Sequence, residues 1–103
     1  MAIELVWTPL AEEDLLEIYC FIALDSPIAA DRILTRLQSS IEMLLLNPRI
    51  FARRPDIWPS ARVLVEGPYL VLYEIHPDTD SGLVDEVEIV RVVDGRRDLK
   101  NLF

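Results

Sequence analysis

The chain has 103 residues, about half of them apolar, and a net charge of −8. That length supports one core, and so a single domain over residues 1–103, while the apolar content excludes a disordered chain. The acidic total works against general affinity for nucleic acid, and no apolar run approaches the length of a membrane span.

Cysteine and histidine usage narrows the chemistry further. Cys20 is the single cysteine, which rules out an internal disulfide and fits a reducing cytoplasm. It lies in an apolar helical stretch and is expected in the core. With one cysteine and one histidine, a zinc site built from protein ligands alone is not expected. No cofactor is suggested. The opening M-A-I-E-L-V-W lacks a basic region and a cleavage site, so no signal peptide is expected.

Ile3 to Trp7 alternates weakly and predicts a short first strand. Thr8-Pro9 is a helix start: a hydroxyl to cap free N–H groups, then a proline where no N–H is missed. Glu12, Glu13 and Asp14 suit the positive end of the helix dipole. Leu15, Ile18, Tyr19 and Ile22 step by three and four, so the first helix runs from Pro9 to Leu24. Asp25-Ser26-Pro27 repeats the start signal. The second helix runs from Pro27 to Leu46, with Ala30, Ile33, Leu34, Leu37, Ile41, Leu44 and Leu45 as its apolar stripe. Asn47-Pro48 stops it. The turn between the helices is short enough to make them antiparallel.

Residues 49–61 form an irregular connection, with Phe51 and Trp58 expected to anchor it on the core. Three strands follow. Arg62 to Glu66 ends at Gly67-Pro68, a turn. Tyr69 to His76 ends at P-D-T-D-S-G, nearly pure turn chemistry. Leu83 to Val93 alternates, which puts Val87, Ile89, Arg91 and Val93 on one face. The expected architecture is α+β: a short N-terminal strand, an antiparallel αα-hairpin, and a three-stranded antiparallel meander packed on the helices. Residues 96–103 form a tail too short for an independent helix.

Charge is unevenly spread. Residues 49–67 carry four arginines against two acids, residues 68–90 carry six acids and no base, and bases return after Arg91. The bases thus gather in two segments flanking the acidic second and third strands of the meander. They form one cationic patch only if Arg49, Arg53, Arg54 and Arg62 meet Arg91, Arg96 and Arg97 in space.

Five motifs, in order and at matching spacing, resemble the ParE/RelE toxin superfamily of bacterial type II toxin–antitoxin modules. They are W-T-P-x-A-E-E-D-L, S-P-x-A-A-x-R, A-R-V-L-V, P-Y-x-V-x-Y and I-V-R-V-V-x-G-R-R-D. The resemblance spans nearly the whole chain and is closer to the ParE, or plasmid-stabilisation, branch. That branch implies inhibition of DNA gyrase, with Arg62, Arg91, Arg96 and Arg97 as target-recognition residues. The RelE branch implies ribosome-dependent cleavage of mRNA, with Arg62 and Arg91 as the candidate catalytic positions.

Cleavage by a 2′-OH needs a proton acceptor, a proton donor and cations at the phosphate. Here Asp94 stands where the family often has histidine, and no Tyr or His follows Arg91. Lys is absent from the second helix and the loop after it. His76 is expected at the surface, and Tyr69 and Tyr73 in the core. These departures favour a protein-targeting toxin without catalysis, and leave a degenerate, weakly toxic member as a third reading. The resemblance also implies an antitoxin whose disordered segment folds onto the toxin as helix and strand, so an exposed apolar groove along hairpin and sheet is expected. No helix-turn-helix is present in the pattern. Direct DNA binding and membrane association are therefore not expected, and the site of action is the cytoplasm.

Overall fold

The computed structural model describes residues 2–96. Six elements follow in order: β1 (Glu4–Trp7), α1 (Pro9–Ala23), α2 (Pro27–Leu46), β2 (Arg62–Glu66), β3 (Tyr69–His76) and β4 (Glu86–Asp94). The predicted boundaries agree to within a residue or so, except at the start of β4. There Leu83 is exposed, and regular pairing begins only at Glu86.

Both helices start as the sequence predicts. Thr8 Oγ1 accepts from the Ala11 N–H at 3.1 Å, and Ser26 Oγ accepts from the Ala29 N–H at 3.2 Å. Thr8 has a second task. Its hydroxyl donates to the Val90 carbonyl at 2.8 Å, which ties the start of α1 to β4.

The sheet order is β1-β4-β3-β2. The meander β2-β3-β4 is antiparallel, but β1 pairs parallel with β4, from Glu4 opposite Glu86 to Trp7 opposite Ile89. The sheet is therefore mixed. A four-residue strand with a weak pattern names no partner, and only the return of the chain through the hairpin brings it beside β4. Between β2 and β3 a two-residue turn is made by Gly67 and Pro68. Gly67 has φ +58°, the positive value that a tight hairpin asks of its first central residue.

The helices cover one face of the sheet. Ala11, Leu37, Ile41 and Leu44 pack with Leu64, Val71, Tyr73, Ile75, Val87, Ile89 and Val92. Each Leu, Ile or Val among them, fully buried, contributes about 1.5–3 kcal/mol. The opposite face carries a smaller cluster of Val63, Leu72 and Val93, covered by Ile57 and Trp58 from the connection. Phe51 packs against the helix-side core. Both aromatics thus anchor residues 49–61, one on each face.

Two expectations fail. Cys20 is exposed rather than in the core. It lies two positions beyond Ile18, which packs inward, and two positions is about 200° around a helix. The single face proposed for Val87, Ile89, Arg91 and Val93 also breaks. Val87 and Ile89 face the helices, but Val93 belongs to the outer cluster. The cause is a shift in register: Leu72 opposes Arg91 while Tyr73 opposes Ile89, leaving Val90 as an extra residue. Such a bulge moves the alternation by one. Val92 then takes the inward place.

No helix among the described residues is long and apolar enough to cross a membrane. The tail after Arg96, including Arg97, lies outside the described residues.

Candidate functional site

The arginines singled out from the sequence sit on the meander and its connections. Arg62 opens β2, opposite Tyr73. It is 4% exposed, donates from Nη1 to the Phe51 carbonyl, and has Nη2 4.0 Å from Asp78 Oδ1. Its Nε is buried without a partner. Beside it, the fully buried Tyr73 donates its hydroxyl to the Pro48 carbonyl at 3.1 Å. Burial pushes the Tyr73 phenol up to about 12, although the neighbouring Arg62 works the other way. Arg62 and Tyr73 together pin the chain where it leaves α2.

Two more arginines of the first basic segment are taken up by the loop between β3 and β4. Arg49 donates to the Thr79 carbonyl at 2.9 Å and the Gly82 carbonyl at 3.0 Å. Arg53 reaches Asp78 at 3.0 Å and Asp80 at 2.6 Å. Hydrogen bonds to Asp80 and Asp78 raise the Arg53 pKa, and in return the Asp80 carboxyl is held below its ordinary value. Arg54 pairs with Asp56 at 2.8 Å. The backbone adds an isolated bridge between Arg53 and Arg62.

Arg91 turns elsewhere. Its Nε and Nη2 donate to the two oxygens of Asp14 at 2.7 and 3.0 Å, and Asp14 also accepts from the Val92 N–H at 3.0 Å. This carboxylate closes β4 beyond the end of β1. The hydrogen bond to Asp14 raises the Arg91 pKa, so the cation is held firmly. Arg96 is 81% exposed and folds back on Asp94, whose carboxylate takes both its backbone N–H and its guanidinium. Arg62 and Arg91 thus lie on the strands flanking β3, one residue apart in register, yet their heads go to different acids. The two basic segments do not merge into one uncompensated cationic patch among the described residues.

The apolar surface is more conspicuous. Leu16, Phe21, Leu24 and Ile28 are exposed along α1 and the start of α2, with Phe21 at 77% and Leu24 at 87%. A second apolar area lies at the far end of α2. Met43, Ile50 and Val65 are exposed around a groove of about 190 Å³ that also touches Leu44, Phe51 and Leu64. It borders β2, one of the two edge strands of the sheet. The hairpin-and-sheet groove expected from the sequence thus has a physical counterpart. The residues that line it, Met43, Ile50 and Val65, had no sequence signal beyond being apolar at the edge of a stripe.

One group was missed. His76 does lie at the surface, but it stands among acids: Nε2 is 3.0 Å from Glu88 and 3.7 Å from Glu86. The hydrogen bond to Glu88 lifts its pKa above the ordinary value. Glu74, His76 and Glu88 offer ligand atoms within 4.8 Å of one another and could hold a metal ion. Counting histidines and cysteines overlooked the glutamates that strand pairing brings to a lone histidine.

Comparison with known proteins follows the same outline. A family model described as the ParE toxin of the type II toxin-antitoxin system, parDE, matches residues 5–99. No curated protein matches the chain. Among solved structures, the chromosomal ParDE TA system from P. aeruginosa has a similar fold, with a TM-score of 0.70 and 24% identity. The match covers 90% of this chain and 96% of that one.

Proposed function

The chain belongs to the ParE toxin family of type II toxin–antitoxin systems, and on that premise we propose that it halts growth by binding DNA gyrase in the cytoplasm until an antitoxin covers it. The observation that carries the choice of a protein target is the state of the arginines. An RNA-cleaving site needs cations turned toward a phosphate, with a proton donor beside them. Arg62 is 4% exposed and directed at the Phe51 carbonyl, while Arg91 is bound by Asp14. The phenol beside Arg62, that of Tyr73, is buried, has its pKa pushed to about 12, and already donates to Pro48. This supports inhibition by contact rather than by catalysis, and we assign no catalytic residue.

Arg96 and Arg97 are the arginines we assign to the target surface. Arg62 and Arg91 serve that surface by holding the connection and the end of β4 in place. The exposed apolar side chains of the hairpin and the groove beside β2 support an antitoxin segment that folds onto them and buries them. DNA recognition belongs to that partner, and this chain does not bind DNA itself.

Pulse-labelling after induction without antitoxin tests the proposal. Thymidine incorporation is expected to fall first while methionine incorporation continues. If methionine incorporation falls first, ribosome-dependent RNA cleavage replaces the gyrase reading. If neither falls, the toxic activity itself is refuted.

A further inference from the structure

We propose that the outer face of the sheet binds a divalent transition-metal ion through Glu74, His76 and Glu88, with Glu86 as a fourth ligand. The site is built by strand pairing. β3 and β4 run antiparallel with His76 opposite Glu86 and Glu74 opposite Glu88. Residues two apart on a strand share a face, so all four side chains rise on the side away from the helices.

The spacing suits a metal. Zinc bonds nitrogen and carboxylate oxygen at about 2.0–2.2 Å, which sets tetrahedral ligand atoms about 3.4 Å apart. The distances from His76 Nε2 are 3.0 Å to Glu88 and 3.7 Å to Glu86, on either side of that value. Glu74, His76 and Glu88 each bring a ligand atom within 4.8 Å of the others, near enough for small rotamer changes to close the shell.

Charge makes the same case. Like charges directly opposite one another on paired strands are destabilising, yet Glu74 faces Glu88, and Glu4 on β1 faces Glu86. Among the described residues no arginine or lysine pairs with Glu74, Glu86 or Glu88. The cations of the connection go to the loop at Asp78 and Asp80 instead. One imidazolium leaves two of the three carboxylate charges uncompensated, whereas a divalent ion leaves one.

The surroundings also behave as metal surroundings do. Ligating carboxylates are commonly oriented by hydrogen bonds from outside the site. Glu74 Oε1 accepts from Trp58 Nε1 at 2.9 Å and from Ser60 Oγ at 2.7 Å, which fixes the group and leaves its other oxygen available. A donor set of one imidazole with carboxylates selects zinc and its first-row neighbours over magnesium and calcium, which take all-oxygen shells. The bound ion would clip β3 to β4. This assignment is independent of the toxin's target.

The test uses the full chain without a polyhistidine tag, since such a tag binds the same ions. After treatment with EDTA and desalting, titration with ZnCl₂ in a calorimeter is expected to give one ion per chain with micromolar affinity or better. His76→Gln and Glu88→Gln are each expected to weaken binding at least about tenfold, and Trp58→Phe about tenfold through the loosened Glu74. Mg²⁺ should not compete. Co²⁺ gives a second reading on the unaltered chain, a visible absorption band distinct from that of the aqueous ion. The proposal is overturned if zinc binding fails to saturate below about 1 mM, if His76→Gln binds as well as the parent, or if the Co²⁺ spectrum remains that of the aqueous ion.

Discussion

Replacing Asp14 with alanine removes three hydrogen bonds at once, two from Arg91 and one from the Val92 N–H. Hydrogen bonds to charged groups are worth about 1.5–3 kcal/mol each, and orphaning one member of a fully buried ion pair costs about 3–5 kcal/mol. Here the side chains of Arg91 and Asp14 are 23% and 12% exposed, so water can reach the guanidinium once Asp14 is gone. That places Asp14→Ala near the lower bound, about 3 kcal/mol. Arg91→Ala is milder, about 1.5 kcal/mol, because Asp14 keeps the Val92 N–H and gains water. Asp14→Ala has already removed the Arg91–Asp14 contact, so the double variant should be about as unstable as Asp14→Ala alone, a coupling of about 1.5 kcal/mol.

Urea denaturation followed by tryptophan fluorescence reads all three variants. At about 5 °C per kcal/mol for a domain of this size, Asp14→Ala should also melt about 15 °C lower. A loss below about 1 kcal/mol for Asp14→Ala, or strict additivity in the double variant, refutes the clamp. The cycle bears on toxicity as well. If Arg91 acts through the fold, Arg91→Ala should lose toxicity only as far as it loses stability. A fully stable but inactive Arg91→Ala would make Arg91 a direct target contact.

Tyr73 predicts an alkaline limit. Its phenol moves from 10 to about 12 through burial, so the folded form favours the neutral group, and the associated stability is whole below pH 10 and lost as pH rises toward 12. The full effect is about 3 kcal/mol, and an unchanged alkaline limb in Tyr73→Phe, measured by denaturation across that window, would falsify the assignment. Cys20 should react with a maleimide in the native state nearly as fast as in the unfolded chain, because it is exposed; strong native-state protection, read by mass spectrometry, would put it back in the core.

Much of the fold was written locally. The starts of both helices follow from Thr8-Pro9 and Ser26-Pro27, and the β2–β3 turn from Gly67-Pro68. Each is a matter of a few neighbouring residues whose hydrogen bonds and φ values are nearly independent of the rest. The apolar stripe of α2 needed only the helical period to predict its buried members Leu37, Ile41 and Leu44. Motif order carried the family in the same way, since it depends on sequence positions and not on contacts.

What the tertiary structure decided lies wherever residues far apart in the chain compete for a partner. The parallel pairing of β1 with β4 joins segments more than eighty residues apart, and no local pattern encodes it. The bulge at Val90 shifted the phase of β4, because pairing with β3 and the grip of Asp14 outweighed simple alternation. The basic segments looked available in sequence, but the fold supplied Asp14, Asp78 and Asp80 to neutralise them. The pairing of β3 with β4 collected Glu74, Glu86 and Glu88 around His76. A linear chain states which charges exist. Coulomb energy falls with distance, so only the folded arrangement decides which charges are compensated and which are left to act on a partner.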